Sequence, residues 1–132
     1  MEKRIVVGVA SIVKNEILLL KRHEGERITF GGYWSIVTGD AEENESPVHA
    51  AQRELLEETS FKCEVWDLKY YHDWDDERMN LNFTLYKHDL KEKVSPVLDF
   101  EHTDYQYIHK DNLESVSPMD DVLRGNLSRL FI

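Results

Sequence analysis

GDAEENESPVHAAQRELLEETSF, residues 39–61, is the stretch from which the rest of the chain is read. Ser46 is the expected N-cap and Pro47 the first helical residue, since a hydroxyl can accept an orphan N–H and proline has none to leave unpaired. Val48 to Thr59 is rich in Ala, Leu, Glu and Gln, which predicts a helix of about three turns. Val48, Ala51, Leu55 and Thr59 fall on one stripe, expected to face the core. Glu54, Glu57 and Glu58 stand at i, i+3 and i+4, so their carboxylates share another face, with small Ala50 one turn earlier.

Like charges at that spacing destabilise an isolated helix by roughly 0.2–0.5 kcal/mol per pair. They also crowd its C-terminal half, where the helix dipole disfavours anions. A divalent cation reverses the sign, because clustered carboxylate oxygens suit hard ions such as Mg²⁺ and Mn²⁺. The alternative is a solvated acidic face in a chain with 15 Glu. The wider spacing decides between them.

Gly39, five residues, Glu45, seven residues, Arg53-Glu54-Leu55, one residue, Glu57-Glu58, one residue, Ser60-Phe61 resembles the Nudix box, G-x5-E-x7-R-E-U-x-E-E-x-G-U with U bulky and apolar. Six of the seven fixed residues match, and Leu55 and Phe61 fill the apolar positions. Chance gives such a match on the order of 10⁻⁴ per chain. The departure is Ser60, where the family has Gly. If the helix ends there in a left-handed conformation, Ser costs about 1 kcal/mol relative to Gly.

The rest of the composition is that of a water-soluble globular protein: 132 residues, 41% hydrophobic and 32% charged. One domain over residues 1–132 is expected. No apolar run approaches a membrane span, and the N-terminus lacks the apolar segment of a signal peptide. The single Cys63 excludes an internal disulfide, suits a reducing cytoplasm and reads as a small core residue on a strand. A net charge of −10 argues against a nucleic acid duplex as partner. It leaves room for a phosphorylated small molecule bridged by cations. Self-association into a homodimer stays open.

Arg4 to Val13 is a nearly continuous β-branched run, expected as a buried strand, and Glu16 to Arg22 as its antiparallel return. Gly8 inside the first strand points to close packing. Residues 23–32 read as a loop. Tyr33 to Thr38 reads as a short strand feeding Gly39. After the helix, Lys62 to Trp74 and Met79 to Leu90 are expected to pair as a hairpin around an acidic turn at Asp75 to Arg78. Lys91 to Thr103 reads as irregular, Tyr105 to Ile108 as a short strand and Lys110 to Glu114 as a helical turn. Ser117 and Pro118 are expected to start a closing helix to Leu130, with Val122, Leu123, Leu127, Leu130 and Phe131 on its apolar face. This order predicts an α+β layered protein. The resemblance implies the Nudix α/β/α sandwich, a mixed central sheet with the catalytic loop-helix-loop at 39–61.

The resemblance also implies roles. Glu54, Glu57 and Glu58 correspond to metal ligands, usually for Mg²⁺ with Mn²⁺ as a substitute, and Glu54 or Glu58 to the general base. Gly39 corresponds to a residue whose backbone carbonyl reaches the metal, and Arg53 with Glu45 to the pair that fixes the loop-helix-loop. Glu101, before the short strand, reads as a further ligand or base or as a loop residue. His102 reads as structural. Arg22, Trp34 and Tyr105 are candidates for substrate contact, through phosphates or a stacked base, as are Lys21, Tyr33, Trp74 and Tyr107. Trp34 to Gly39 (WSIVTG), with Glu101-His102-x-x-Tyr105, resembles the dihydroneopterin triphosphate and dATP pyrophosphatase branch. The expected activity is Mg²⁺-dependent pyrophosphohydrolysis of a nucleoside triphosphate or a related NDP-X compound. The alternative is a catalytically silent nucleotide-binding module of the same fold.

Overall fold

The computed structural model describes residues 3–25 and 30–131. Within the expected loop over residues 23–32, residues 26–29 lie outside the described residues.

Strand β1 (Arg4–Val13) is the axis of the sheet. One of its edges carries β6 (Leu81–Asp89) in parallel along its whole length, from Arg4↔Leu81 to Ile12↔Asp89. The other edge is shared by two antiparallel strands. β2 (Glu16–Arg22) pairs with its end at Ile12 and Val13, and β4 (Val37–Asp40) pairs with Val6 to Val9. β3 (Trp34–Ser35) and β7 (His102–His109) flank β2, and β5 (Leu68–Asp76) closes the far edge beside β6. The sheet is therefore mixed. It lies between helix α1 (Pro47–Thr59) and helix α2 (Asp121–Ser128), each over its own apolar core. Val7, Val9, Leu18, Leu20, Ala51 and Leu55 fill the layer under α1, and Ile12, Ile17, Leu19, Leu85, Leu123 and Leu127 the layer under α2. Burial of β1 on both faces is why its sequence is continuous rather than alternating. The α+β sandwich expected from the sequence is the observed fold.

Gly8 is a packing residue. A Cβ there would stand 2.5 Å from Cζ of Phe83 and 3.0 Å from Cδ1 of Ile36. The ring of Phe83 occupies that space and stacks on Trp74 with centroids 4.7 Å apart.

Several local expectations are corrected. The strand expected over Tyr33 to Thr38 is two strands, because the chain changes partner at fully buried Ile36, from β2 to β1. The strand expected from Lys62 starts only at Leu68. Gln52 Nε2 donates to the Cys63 carbonyl at 2.8 Å, and Asp67 Oδ2 accepts the Glu64 N–H at 2.9 Å, which turns Val65–Asp67 into a 3-10 helix. Cys63 thus packs against the core from irregular backbone, not from a strand. β5 runs on through Asp75 and Asp76, so the turn is shorter than expected, and β7 begins at His102, three residues early. The closing helix starts at Asp121. Asp120 caps it by accepting the Leu123 N–H at 3.2 Å, while the Ser117–Pro118 peptide is cis and the Pro118 carbonyl accepts the Trp34 N–H at 2.8 Å. Val122 is exposed, and Arg129–Phe131 ends the chain as a 3-10 turn.

Helix α1 begins and ends where the sequence places it. The Ser46 hydroxyl accepts the His49 N–H, and Ser60 ends the helix at φ 66°, ψ 14° with its N–H on the Leu56 carbonyl at 2.9 Å. Ser60 is thus left-handed, where a Cβ is a steric burden. Its hydroxyl is 3.5 Å from the Val97 carbonyl, too long to offset much of that cost. Ser60→Gly should therefore raise stability by up to about 1 kcal/mol, read as a higher urea midpoint. A lower midpoint would mean that the hydroxyl contact outweighs the backbone strain.

Candidate active site

Arg53 organises the loop before the helix. Its Nε and Nη2 donate to Oε2 and Oε1 of Glu45, both at 2.9 Å, a two-point fork matching the planar guanidinium. Nη2 also donates to the Asp40 carbonyl at 3.1 Å, and Nη1 to Oε1 of Glu54 at 2.8 Å. One side chain therefore joins the end of β4, the loop at Glu45 and the middle of α1. The guanidinium, and then the Glu42 N–H, hold the Glu45 carboxyl down at about 2. Glu45 in turn, followed by Glu54, raises the Arg53 pKa further above its ordinary value.

Glu54 and Glu58 lie together at the floor. Gly39 is required there by space: a Cβ would fall 2.1 Å from Cδ of Glu54. Glu58 is 1% exposed, and its pKa is raised by burial first and by the neighbouring Glu54 carboxylate next, with Asp99 and Glu101 adding to the effect. Its Oε1 accepts the Thr38 N–H at 3.4 Å, while no N–H donor among the described residues meets its buried Oε2. Glu57 is different. Its side chain is 53% exposed and its Oε2 sits 3.4 Å from Arg53 Nη1. Among the described residues no three acidic or histidine side chains close on a single point. The acidic pair, with Glu54 against Gly39 and an oxygen of Glu58 that meets no donor among the described residues, still fits a hard divalent cation in its donor chemistry.

A cavity of about 430 Å³ opens over this floor, lined by Gly39, Glu54 and Glu101 and by Tyr33, Trp34, Trp74 and Phe83. Arg22 and Thr38 also line it. Arg78 clamps its rim, pairing with Asp76 at 2.8 Å and with Asp120 at 3.1 Å. The Glu101 backbone is tied in place by its carbonyl, which accepts the His23 N–H at 2.7 Å. Of the residues singled out in the sequence, Arg22, Trp34, Gly39, Glu54 and Glu101 are brought to one cavity, with Glu58 beneath. Tyr105 and Tyr107 pack against the core under α1 instead, and the Tyr107 hydroxyl donates to the Val94 carbonyl at 2.7 Å.

Sequence reasoning read His102 as structural and did not single out Asp99. His102 Nε2 lies 3.5 Å from Oε1 of Glu58, and its Nδ1 lies 2.8 Å from Oδ1 of Asp99. The signal was present as Asp99-x-x-His102 beside Glu101, a spacing that only the backbone geometry makes meaningful.

A family profile described as the NUDIX domain matches residues 2–130. The chain is 33% identical over 95 residues to the 8-oxo-dGTP diphosphatase of Proteus vulgaris, covering 67% of this chain and 82% of that protein. It is 47% identical over 55 residues to an octanoyltransferase of Myxococcus xanthus, 42% of this chain but only 15% of the length of that relative. The fold superposes on the crystal structure of a NUDIX hydrolase from Nitrosomonas europaea with a TM-score of 0.80 at 21% identity, covering 99% of this chain and 71% of that one.

The Glu45–Arg53 fork predicts a pH dependence with a definite sign. The folded pKa of Glu45 is depressed from 4.5 to about 2, so its contribution is complete above pH 4.5 and is lost as the pH falls toward 2. Urea midpoints of the wild type and Glu45→Gln should differ most above pH 5, with Glu45→Gln the less stable. The two curves should converge between pH 4.5 and pH 2. Parallel curves would show that the fork adds no charge-dependent stability.

Proposed function

Because the chain belongs to the NUDIX family of hydrolases, we propose that it is a Mg²⁺-dependent pyrophosphohydrolase of nucleoside triphosphates or related NDP-X compounds. The observation that carries this reading is the buried Oε2 of Glu58, which meets no donor among the described residues, beneath Glu54 in an aromatic-walled cavity. A carboxyl held away from water with no donor to meet it keeps its charge only where a cation takes the place of the proton that burial and Glu54 otherwise favour. Glu54 and Glu58, the Gly39 carbonyl, Glu57 and Glu101 would hold the metal, and Mn²⁺ would substitute. NUDIX hydrolases generally use divalent ions. A bound ion would neutralise charge on the polyphosphate and make a water more acidic.

The chain's own residues would do the rest. Arg53 and Glu45 fix the floor, and Glu57, already drawn to Arg53, lies at its outer edge. Arg22 lines the cavity where substrate phosphates would lie, and Trp34, Trp74 and Phe83 offer faces for a base. Water adds to phosphorus as the bridging P–O bond breaks, and a floor carboxylate takes the proton of that water. Glu54 and Glu101 face the cavity for that step. The relative from Proteus vulgaris puts modified guanine nucleotides among the candidate substrates, and the Glu101-His102-x-x-Tyr105 pattern adds dihydroneopterin triphosphate.

A panel of nucleoside triphosphates, 8-oxo-dGTP, dihydroneopterin triphosphate, dinucleoside polyphosphates and nucleotide sugars, run with and without Mg²⁺, tests this. Metal-dependent release of a monophosphate product from at least one member is expected. Glu57→Gln and Glu58→Gln should each lower kcat/KM by about 10²–10³-fold, the equivalent of several kcal/mol of lost transition-state stabilisation. Wild-type activity in both variants would overturn the assignment of the floor. Nucleotide-dependent thermal stabilisation with no product formed across the panel would establish the silent binding module instead.

A further inference from the structure

The two oxygens of Glu58 have unlike surroundings. Oε1 accepts the Thr38 N–H at 3.4 Å and faces His102 Nε2 at 3.5 Å, whereas the buried Oε2 meets no N–H donor among the described residues. His102 is itself fixed. It is the first residue of β7 and pairs with Arg22, its side chain is wholly buried, and its Nδ1 meets Asp99 Oδ1 at 2.8 Å. Among the described residues Nε2 makes no hydrogen bond, and the atom it faces is Oε1 of Glu58. Packing alone does not call for such a residue, since an apolar side chain would fill the space without burying an unsatisfied nitrogen.

We propose that His102, braced by Asp99, is a positioning residue for Glu58. It stands behind Oε1 with the Thr38 amide, so that Oε2 is left for the cation. The inference rests on Glu58 being a metal ligand. Groups behind a ligand set its direction, and their loss lowers metal affinity by roughly 10–100-fold. Asp99 reaches His102 from the segment before β7, whose Val97 N–H donates to the Thr59 carbonyl at the end of α1, at 2.9 Å. That hydrogen bond ties the segment carrying the brace to the end of the helix carrying the ligand.

The test is Mn²⁺ binding by calorimetry without substrate, beside steady-state kinetics, for wild type, His102→Leu, His102→Gln and Asp99→Ala. His102→Leu should weaken Mn²⁺ binding by about 10–100-fold and lower kcat, with the KM for nucleotide nearly unchanged. His102→Gln, whose amide nitrogen can stand near the place of Nε2, should recover most of the affinity, and Asp99→Ala should fall between. Wild-type affinity in a folded His102→Leu overturns the proposal. If that variant does not fold, wild-type affinity in Asp99→Ala overturns it equally. A wild-type chain that binds no Mn²⁺ removes the metal reading of the floor and this inference with it. Binding by wild type and all variants alike removes this inference alone.

Discussion

The geometry of the floor depends on Arg53. Its guanidinium is the single donor set shared by Glu45, Glu54 and the Asp40 carbonyl, so a strand end, a loop and a helix are held by one planar group. Lysine could not substitute, because one ammonium cannot present parallel N–H bonds to both oxygens of Glu45 while also reaching Asp40 and Glu54. The fork also explains how Gly39 and Glu54 come within contact distance. The end of β4 is drawn onto α1, and only a residue without a side chain fits between them.

With the loop and helix locked, the carboxylates cannot separate. Glu58 has no room to swing to solvent, and its orphaned oxygen costs about 1–3 kcal/mol on the usual scale for an unmet buried polar group. The packing of α1 on β1 and β4, through Ala51 and Leu55, is what makes that arrangement tolerable. Stability is given up at the floor and recovered in the layer directly beneath it. The same division runs through the helix itself: one face is apolar and buried, the other carries charge that helps only when a cation is present.

The sequence made the box legible because its constraints are local. A cap, a proline at the first turn and a left-handed terminus are all fixed by residues within one helix, and each sits where the spacing puts it. Of the i, i+3, i+4 acidic set, however, Glu54 and Glu58 come together and Glu57 turns to Arg53. β1, β2 and the β5–β6 hairpin were legible for a similar reason, as uninterrupted or alternating apolar runs. What was not legible was decided across the chain. Ile36 ends one strand and begins the next only because β2 and β1 both need a partner there. Leu68 begins β5 late because Gln52, on α1, takes the Cys63 carbonyl. Tyr105, in an aromatic stretch beside Glu101, could not be told from a base-stacking residue by pattern, since alternation says which residues share a face and not which face meets the cavity.

His102 shows the same limit at the site itself. Its neighbour Glu101, in the turn just before β7, lines the cavity, while His102 is buried. A reading that sorted residues by exposure would keep Glu101 and discard His102 as structural. The geometry instead sets the two consecutive residues apart, Glu101 at the cavity and His102 behind the Glu58 carboxylate. The loop that delivers both is pinned to α1 at Thr59, whose carbonyl holds Val97 and whose hydroxyl meets the Phe61 N–H at 3.1 Å. The left-handed turn at Ser60 lies between those two anchors. The end of the helix that carries the glutamates is therefore hydrogen-bonded to the segment that leads into β7, so the two halves of the site meet beside Ser60.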